Sequence, residues 1–253
     1  MTEGLFVDAR HRYSGSYDGV PFGPLTSVTT AIGALHKGAL VPWAVRLTAT
    51  SAINHLDKLA ENVGSFGREP TIAMLTKLAD QERDAAASRG TDVHALCAAI
   101  VEGNVVHETD EQRPYLDGFR RWLLATMPKV VASEQMVANL SEGYAGTFDL
   151  VIELEGKRWL VDIKTAKEGK GPYPETGLQL AAYAKAEFIG KPSDPTKYPM
   201  PKCSRFAVLS LRPEGYEFVP YAVDGDTYKA FLAALRVSQW LSGQSKTIIR
   251  RAA

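Results

Sequence analysis

Three short segments in the second half of the chain, residues 130–139, 145–153 and 157–164, alternate apolar with polar residues. Successive side chains of a strand point to opposite faces, so a two-residue period predicts strands and is incompatible with a packed helix. Glu155-Gly156 falls between the second and third segments, where a tight hairpin turn is expected. Downstream, residues 175–188 are rich in Ala, Leu and Tyr and predict a helix. Residues 191–202 carry Pro192, Pro195, Pro199 and Pro201 and predict a loop. Residues 205–211 and 216–223 predict two more strands, joined through Pro213-Glu214-Gly215, and residues 227–241 a closing helix. The order βββαββα implies an α/β domain with a mixed central sheet and helices on its faces.

The first half has a different texture. Residues 1–30 are rich in Gly, Ser, Tyr and Pro and read as a lead-in with turns or a small hairpin, after which Ser27 can open a helix. Residues 40–62 and 70–88 have Ala and Leu at helical spacing, with Gly64, Gly67 and Pro70 between them. Val93, Leu96, Cys97 and Ile100 mark one apolar helix face. Tyr115, Phe119, Trp122 and Leu123 mark another within residues 109–126, which Pro128 stops. The expected division is a mostly helical extension over residues 1–88, packed on a core over residues 89–253. With 45% hydrophobic and 23% charged residues, the composition is that of an ordinary globular protein. No apolar run approaches the ~20 residues of a membrane span, and the first residues have neither a basic nor an apolar targeting segment, so a cytoplasmic location is expected. Cys97 and Cys203 are two thiols, too few for a four-cysteine cluster, and each reads as a small buried hydrophobe. The 29 basic residues balance 29 acidic ones. That argues against coating nucleic acid through bulk charge but leaves room for one local basic patch.

The chemistry-bearing residues gather on the predicted strands. Asp162 and Lys164 are two apart, so they share one sheet face while Ile163 points into the core. With a turn at Glu155-Gly156, Asp149 on the neighbouring strand comes nearly opposite Asp162. Two carboxylates on one face repel unless a cation lies between them. Mg²⁺ or Mn²⁺ suits such oxygen ligands, and the backbone carbonyl of Ile163 can complete the protein ligands. Phosphodiester hydrolysis uses a metal to polarise the phosphoryl oxygen and activate water. Lys164 can position that water or stabilise charge building on the phosphate. Taken alone, Asp-x-Lys on a hairpin is an ordinary cross-strand ion pair; the combination with Gly146-Thr147-Phe148-Asp149 and the following helix shifts the balance. Gln179 and Tyr183, four apart on that helix, share a face and can bond a phosphate or hold the carboxylates. Lys167 and Lys170 lie in a Gly- and Lys-rich loop directly after the catalytic strand, placed to hold phosphates, and Tyr173 can stack on a base. Lys185, Arg120 and Arg121 are further candidates for DNA contact.

Gly146-Thr147-Phe148-Asp149, Asp162-Ile163-Lys164 and Gln179 with Tyr183 occur in the order found in PD-(D/E)xK nucleases, and the chain resembles their RecB-like and phage exonuclease branch over roughly residues 89–222. The resemblance implies a restriction-endonuclease-like α/β core with an N-terminal helical region. It implies His94 as a metal ligand, within Arg89-Gly90-Thr91-Asp92-Val93-His94. It also implies an acidic residue near the metal or its water shell, for which Glu134, fifteen positions before Asp149, qualifies. The implied site is thus His94, Glu134, Asp149, Asp162, Lys164, Gln179 and Tyr183.

What the resemblance implies for activity is a Mg²⁺- or Mn²⁺-dependent deoxyribonuclease, an exonuclease of phage-type DNA recombination, replication or repair. DNA is the expected partner, joined by a single-strand annealing or recombination protein, and a homo-oligomer enclosing DNA is compatible with it. No membrane contact is expected. The chain departs from iron–sulfur members of the branch because it lacks their four cysteines, and no GxxxxGK[ST] motif is present to bind a nucleotide. A structure-specific endonuclease and a non-catalytic DNA-binding accessory protein on the same fold remain the alternatives.

Overall fold

The computed structural model describes residues 3–35, 40–166 and 171–248. In chain order the elements are β1 (Gly4–Val7), β2 (Tyr13–Tyr17), β3 (Val20–Ser27), α1 (Val28–Gly33), α2 (Leu40–Asn54), α3 (Leu56–Phe66), α4 (Arg68–Val101), α5 (Arg113–Thr126), β4 (Lys129–Asn139), β5 (Tyr144–Leu154), β6 (Lys157–Thr165), α6 (Thr176–Ala184), β7 (Phe188–Lys191), β8 (Asp194–Pro199), β9 (Arg205–Arg212), β10 (Gly215–Pro220) and α7 (Gly225–Ser242). The chain divides into two compact units, one of Met1–Leu35 with Val93–Ala253 and a second of His36–Asp92.

The first unit is mixed α/β. β4, β5 and β6 form an antiparallel meander, and β6 pairs in parallel with β9, which carries β10 at its far edge. Apolar side chains fill both faces of this sheet. On one face α1, α6 and α7 cover Val137, Phe148, Val151 and Val208. On the other, α5 and the last turns of α4 cover Leu150, Ile152, Val161, Ile163 and Leu209. Two N-terminal caps match the sequence: Ser27 accepts from Thr30 N at the start of α1, and Asp224 forms a capping box with Thr227 at the start of α7.

Two expectations need correction. The helix expected over residues 175–188 ends at Ala184, and residues 188–191 are a strand. β4 has an open edge on that side, and Phe188, Ile189 and Gly190 pair with Ala138, Val137 and Met136 along it. Asn139 caps the helix end by donating from its side-chain amide to the Lys185 carbonyl at 3.0 Å. The proline-rich loop expected over 191–202 contains β8. Its prolines are tolerated because the strand lies outermost, where a missing N–H costs no ladder bond.

The N-terminal segment is also more than a lead-in. β1, β2 and β3 form an antiparallel meander, and β3 pairs in parallel with β5 through Thr26↔Tyr144 and Ser27↔Ala145. Leu5, Tyr13 and Tyr17 pack with Ala138, Ala145 and Phe188. Strand pairing and packing therefore join residues 1–35 to the sheet, whereas the sequence pattern groups residues 1–88 together. In the second unit, α2, α3 and the first turns of α4 are helical as their spacing predicts. Several of their large apolar side chains, among them Val45, Ile53, Leu56 and Phe66, are exposed. No helix among the described residues is long and apolar enough to cross a membrane.

Candidate metal centre

The site forms where the sheet forks. The β5–β6 ladder runs from Leu154↔Lys157 to Leu150↔Val161 and stops there. Beyond it β5 continues beside β4, while β6 continues beside β9. The next residues in register, Asp149 and Asp162, therefore border the opening on one side while keeping β4 and β9 as neighbours on the other. Asp149 fills the lost ladder position with its side chain: its Oδ2 accepts from the Ile163 N–H at 2.6 Å. That bond fixes the carboxylate and leaves Oδ1 to meet His94 Nδ1 at 3.2 Å.

His94 reaches Asp149 from α4, whose Val93 and Cys97 are anchored in the core on either side of it. Glu134 comes from β4. Its strand neighbours Ser133 and Gln135 pair with Leu150 and Phe148, which sets Glu134 abreast of Asp149. Its backbone is left-handed, with φ of 47° in the middle of a strand, a conformation uncommon for a residue other than Gly, Asn or Asp. Ligand atoms of His94, Glu134 and Asp149 all lie within 4.8 Å of one another, and this group can hold a metal ion.

Asp162 stands beside the group, 2% exposed. Its Oδ2 meets the Lys164 ammonium at 2.7 Å, and its Oδ1 has no hydrogen-bond partner among the described residues. A buried carboxylate normally has its lone pairs satisfied, so the remaining oxygen fits the donor set of a cation site. Lys164 is also held from α6: its Nζ donates to Gln179 Oε1 at 3.4 Å, and Gln179 Nε2 donates to the Tyr183 hydroxyl at 3.2 Å. The Tyr183 ring rests on Gly146, where an added Cβ would lie 2.6 Å from the ring. Lys164 keeps 39% of its side chain exposed, while its ammonium is engaged by Asp162 and Gln179.

Charge coupling follows from this crowding. Burial, then the Asp149 carboxylate, pushes the Glu134 carboxyl up to about 7. Burial likewise pushes Asp162 up to about 6, against the pull of Lys164. For Asp149 burial acts upward too, but His94 and Lys164 outweigh it and hold the carboxyl below the usual range. Burial depresses His94, yet Asp149 raises it overall. Lys164 is treated alike: burial lowers it, and Asp162 and Asp149 more than restore it. Three carboxyls with one lysine and one histidine among them are short of positive charge, which is the electrostatic condition for a divalent ion.

The structure thus brings together His94, Glu134, Asp149, Asp162, Lys164, Gln179 and Tyr183. For Ile163 the interaction seen is that of its N–H with Asp149. Lys167 and Lys170 lie outside the described residues. Lys185 is exposed at the C-terminal cap of α6, whereas Gln179 is near its N-terminal end. Arg120 is taken up by Glu108, at 3.1 and 3.2 Å, and by Asp117 at 3.1 Å. Arg121 donates through Nε to the Asp117 carbonyl at 3.4 Å. Cys97 is fully buried, as a small hydrophobe would be.

One neighbour of the site is not legible in the sequence. Tyr13, buried on β2, places its hydroxyl 3.1 Å from Thr147 Oγ1, two residues before Asp149, and is within electrostatic reach of Glu134. Its sequence context is the Gly- and Ser-rich lead-in, which carries no catalytic spacing.

No family model and no curated protein matches the chain. Among solved structures, the crystal structure of SSO0001 is similar at 15% identity, covering 85% of this chain and 75% of that one, with a TM-score of 0.36. An alkaline exonuclease (LHK-Exo) from Laribacter hongkongensis is similar at 14% identity, covering 68% of this chain and 88% of that one, with a TM-score of 0.26.

Proposed function

We propose that this protein is a divalent-metal-dependent nuclease of the PD-(D/E)xK type that hydrolyses phosphodiester bonds in DNA, acting as an exonuclease. The observation that carries this reading is the juxtaposition at the sheet fork. His94, Glu134 and Asp149 cluster within 4.8 Å, next to a buried Asp162 that is ion-paired with the part-exposed Lys164.

His94, Glu134 and Asp149, with Asp162 beside them, would hold Mg²⁺ or Mn²⁺. Bound there, the ion supplies positive charge to the phosphoryl oxygens and makes water a better nucleophile. The chain's own residues do the rest. Asp149 orients His94 while its other oxygen is pinned by Ile163 N–H. Glu134, its carboxyl pushed up to about 7, would have to be ionised to serve as a ligand, which would couple ion binding to pH. Asp162 and Gln179 steady the Lys164 ammonium from two elements, β6 and α6, so that it can neutralise charge building on the phosphate. Tyr183 fixes Gln179 in turn.

The test uses end-labelled linear DNA and covalently closed circular DNA, each single- and double-stranded, with Mg²⁺, Mn²⁺ or EDTA. Metal-dependent loss of linear DNA alone, abolished in Lys164→Ala while the fold is retained, is the expected result. Cutting of circles as well would change the reading to an endonuclease. Full activity in Lys164→Ala, or activity in EDTA, would overturn it.

A further inference from the structure

The segment that leads into α6 is pinned from behind. The Tyr173 carbonyl accepts two hydrogen bonds, from the Thr176 N–H at 3.1 Å and from the Tyr221 hydroxyl at 2.8 Å. Two residues earlier, Arg212 Nη2 donates to the Gly171 carbonyl at 3.4 Å. The Tyr221 ring lies against Gly177 in the first turn of α6, where an added Cβ would sit 3.4 Å from it. The backbone of Tyr173 is thus fixed to two strand ends and to the helix that carries Gln179.

Its ring is open to solvent. Tyr173 is 51% exposed, with one ring edge over Gly171, where an added Cβ would lie 3.6 Å away. The strap borders the candidate metal centre through α6: Thr176, which bonds the Tyr173 carbonyl, lies one helical turn before Gln179, which bonds Lys164. A fixed backbone under an exposed aromatic ring is the arrangement that stacking on a nucleobase requires. A base inside a duplex has both faces covered by its neighbours, so within a strand one tyrosine can take only a base that is unpaired or splayed out.

We propose that Tyr173 is a base-stacking platform at the mouth of the centre, with Tyr221 as its positioning residue. The substrate class is then a strand with an unpaired base beside the scissile phosphate; this rests on the nuclease reading above. Tyr173 sets how the strand is held, and Lys164 and the carboxylates act on the phosphate.

The experiment measures binding of the full chain to two single-stranded oligonucleotides of equal length and charge, an oligothymidylate and an abasic tetrahydrofuran oligomer, with Ca²⁺ replacing Mg²⁺ to suppress cleavage. Tyr173→Ala is expected to weaken oligothymidylate binding by about fivefold or more, the lower end of base–aromatic stacking, and to leave the abasic oligomer within about twofold. Tyr173→Phe, which keeps the ring, is expected to bind like the parent. Tyr221→Phe is expected to weaken the oligothymidylate alone, by a smaller factor than Tyr173→Ala. Equal loss on both oligomers in Tyr173→Ala, or no loss on either, overturns the platform while leaving the nuclease reading intact. A parent protein that binds neither oligomer overturns the platform, whereas the nuclease reading falls only if the cleavage test above fails on every substrate.

Discussion

Replacing Glu134 by Gln removes a charge from the metal centre with little change in size, and the structure sets the size and sign of the effect. Burial and the Asp149 carboxylate raise the Glu134 carboxyl from its ordinary 4.5 to about 7. The folded protein therefore holds this proton more tightly than the unfolded chain. The stability linked to it is fully present below about pH 4.5 and lost as pH rises through about 7. At about 1.36 kcal/mol for each tenfold change in proton affinity, the full penalty at pH 8 is about 3 kcal/mol. Solvent reaching this part-buried side chain reduces it to about 2 kcal/mol. Gln carries no such penalty. In EDTA at pH 8, Glu134→Gln is expected to melt about 4–8 °C above the parent, at about 2–4 °C per kcal/mol for a chain of this size. At pH 5, where most of the parent's Glu134 is protonated in the folded state, the gap should shrink to under about 1 kcal/mol. Saturating Mn²⁺ should raise the parent's melting temperature more than the variant's, because the variant has lost a ligand. Calorimetric melting of both proteins at the two pH values reads all of this. A variant that melts at or below the parent in EDTA at pH 8, or a gap that does not depend on pH, would refute the reasoning.

Gly146→Ala should be costly even though alanine is small. Its Cβ would fall 2.6 Å from the Tyr183 ring, which is 3% exposed and has no room to retreat. A loss of about 2 kcal/mol is expected in urea denaturation, with an altered near-ultraviolet tyrosine signal. Tyr13→Phe deletes the hydroxyl that meets Thr147 and should lower stability by about 1 kcal/mol. Calorimetric titration with Mn²⁺ should also show weaker binding, since Thr147 precedes Asp149 on the same strand face.

The parts of this fold that are legible in the sequence are those in which local pattern and tertiary demand agree. β4, β5 and β6 are legible as short apolar-rich segments whose odd and even side chains alternate between two cores, and the Glu155-Gly156 turn has positive φ values of 53° and 71°. That alternation and turn are enough to put Asp149 and Asp162 in register. β7 and β8 escape because nothing local distinguishes Phe188-Ile189-Gly190 from a helix tail. What makes it a strand is the open edge of β4, a property of the sheet. Gly190 shows the same thing in reverse: an added Cβ would meet Leu5 at 2.7 Å, so its value lies in admitting a strand that is nearly two hundred residues distant.

The candidate metal centre depends on a feature that no spacing rule contains. Asp-x-Lys on a fully paired hairpin with one open face would be an ordinary exposed ion pair, because both neighbours would be occupied by ladder bonds. Here the ladder between β5 and β6 ends at Leu150↔Val161, and the carboxylate of Asp149 takes the N–H of Ile163 that a strand partner would have taken. The fork thus turns two strand residues inward without leaving the backbone unsatisfied. Glu134 completes the group by adopting a left-handed backbone, at a cost of about 1–3 kcal/mol. That cost, and the mutual repulsion of three buried carboxyls, oppose folding. They persist because the apolar cores on both sheet faces hold β4, β5 and β6 in place irrespective of the charges between them. A cation relieves the repulsion but not the backbone conformation. On this reasoning, a smaller acidic residue suited to left-handed φ, as in Glu134→Asp, would relax the strand yet pull its carboxylate back from His94 and Asp149. Selection for a metal centre would therefore keep the longer side chain in the less comfortable backbone.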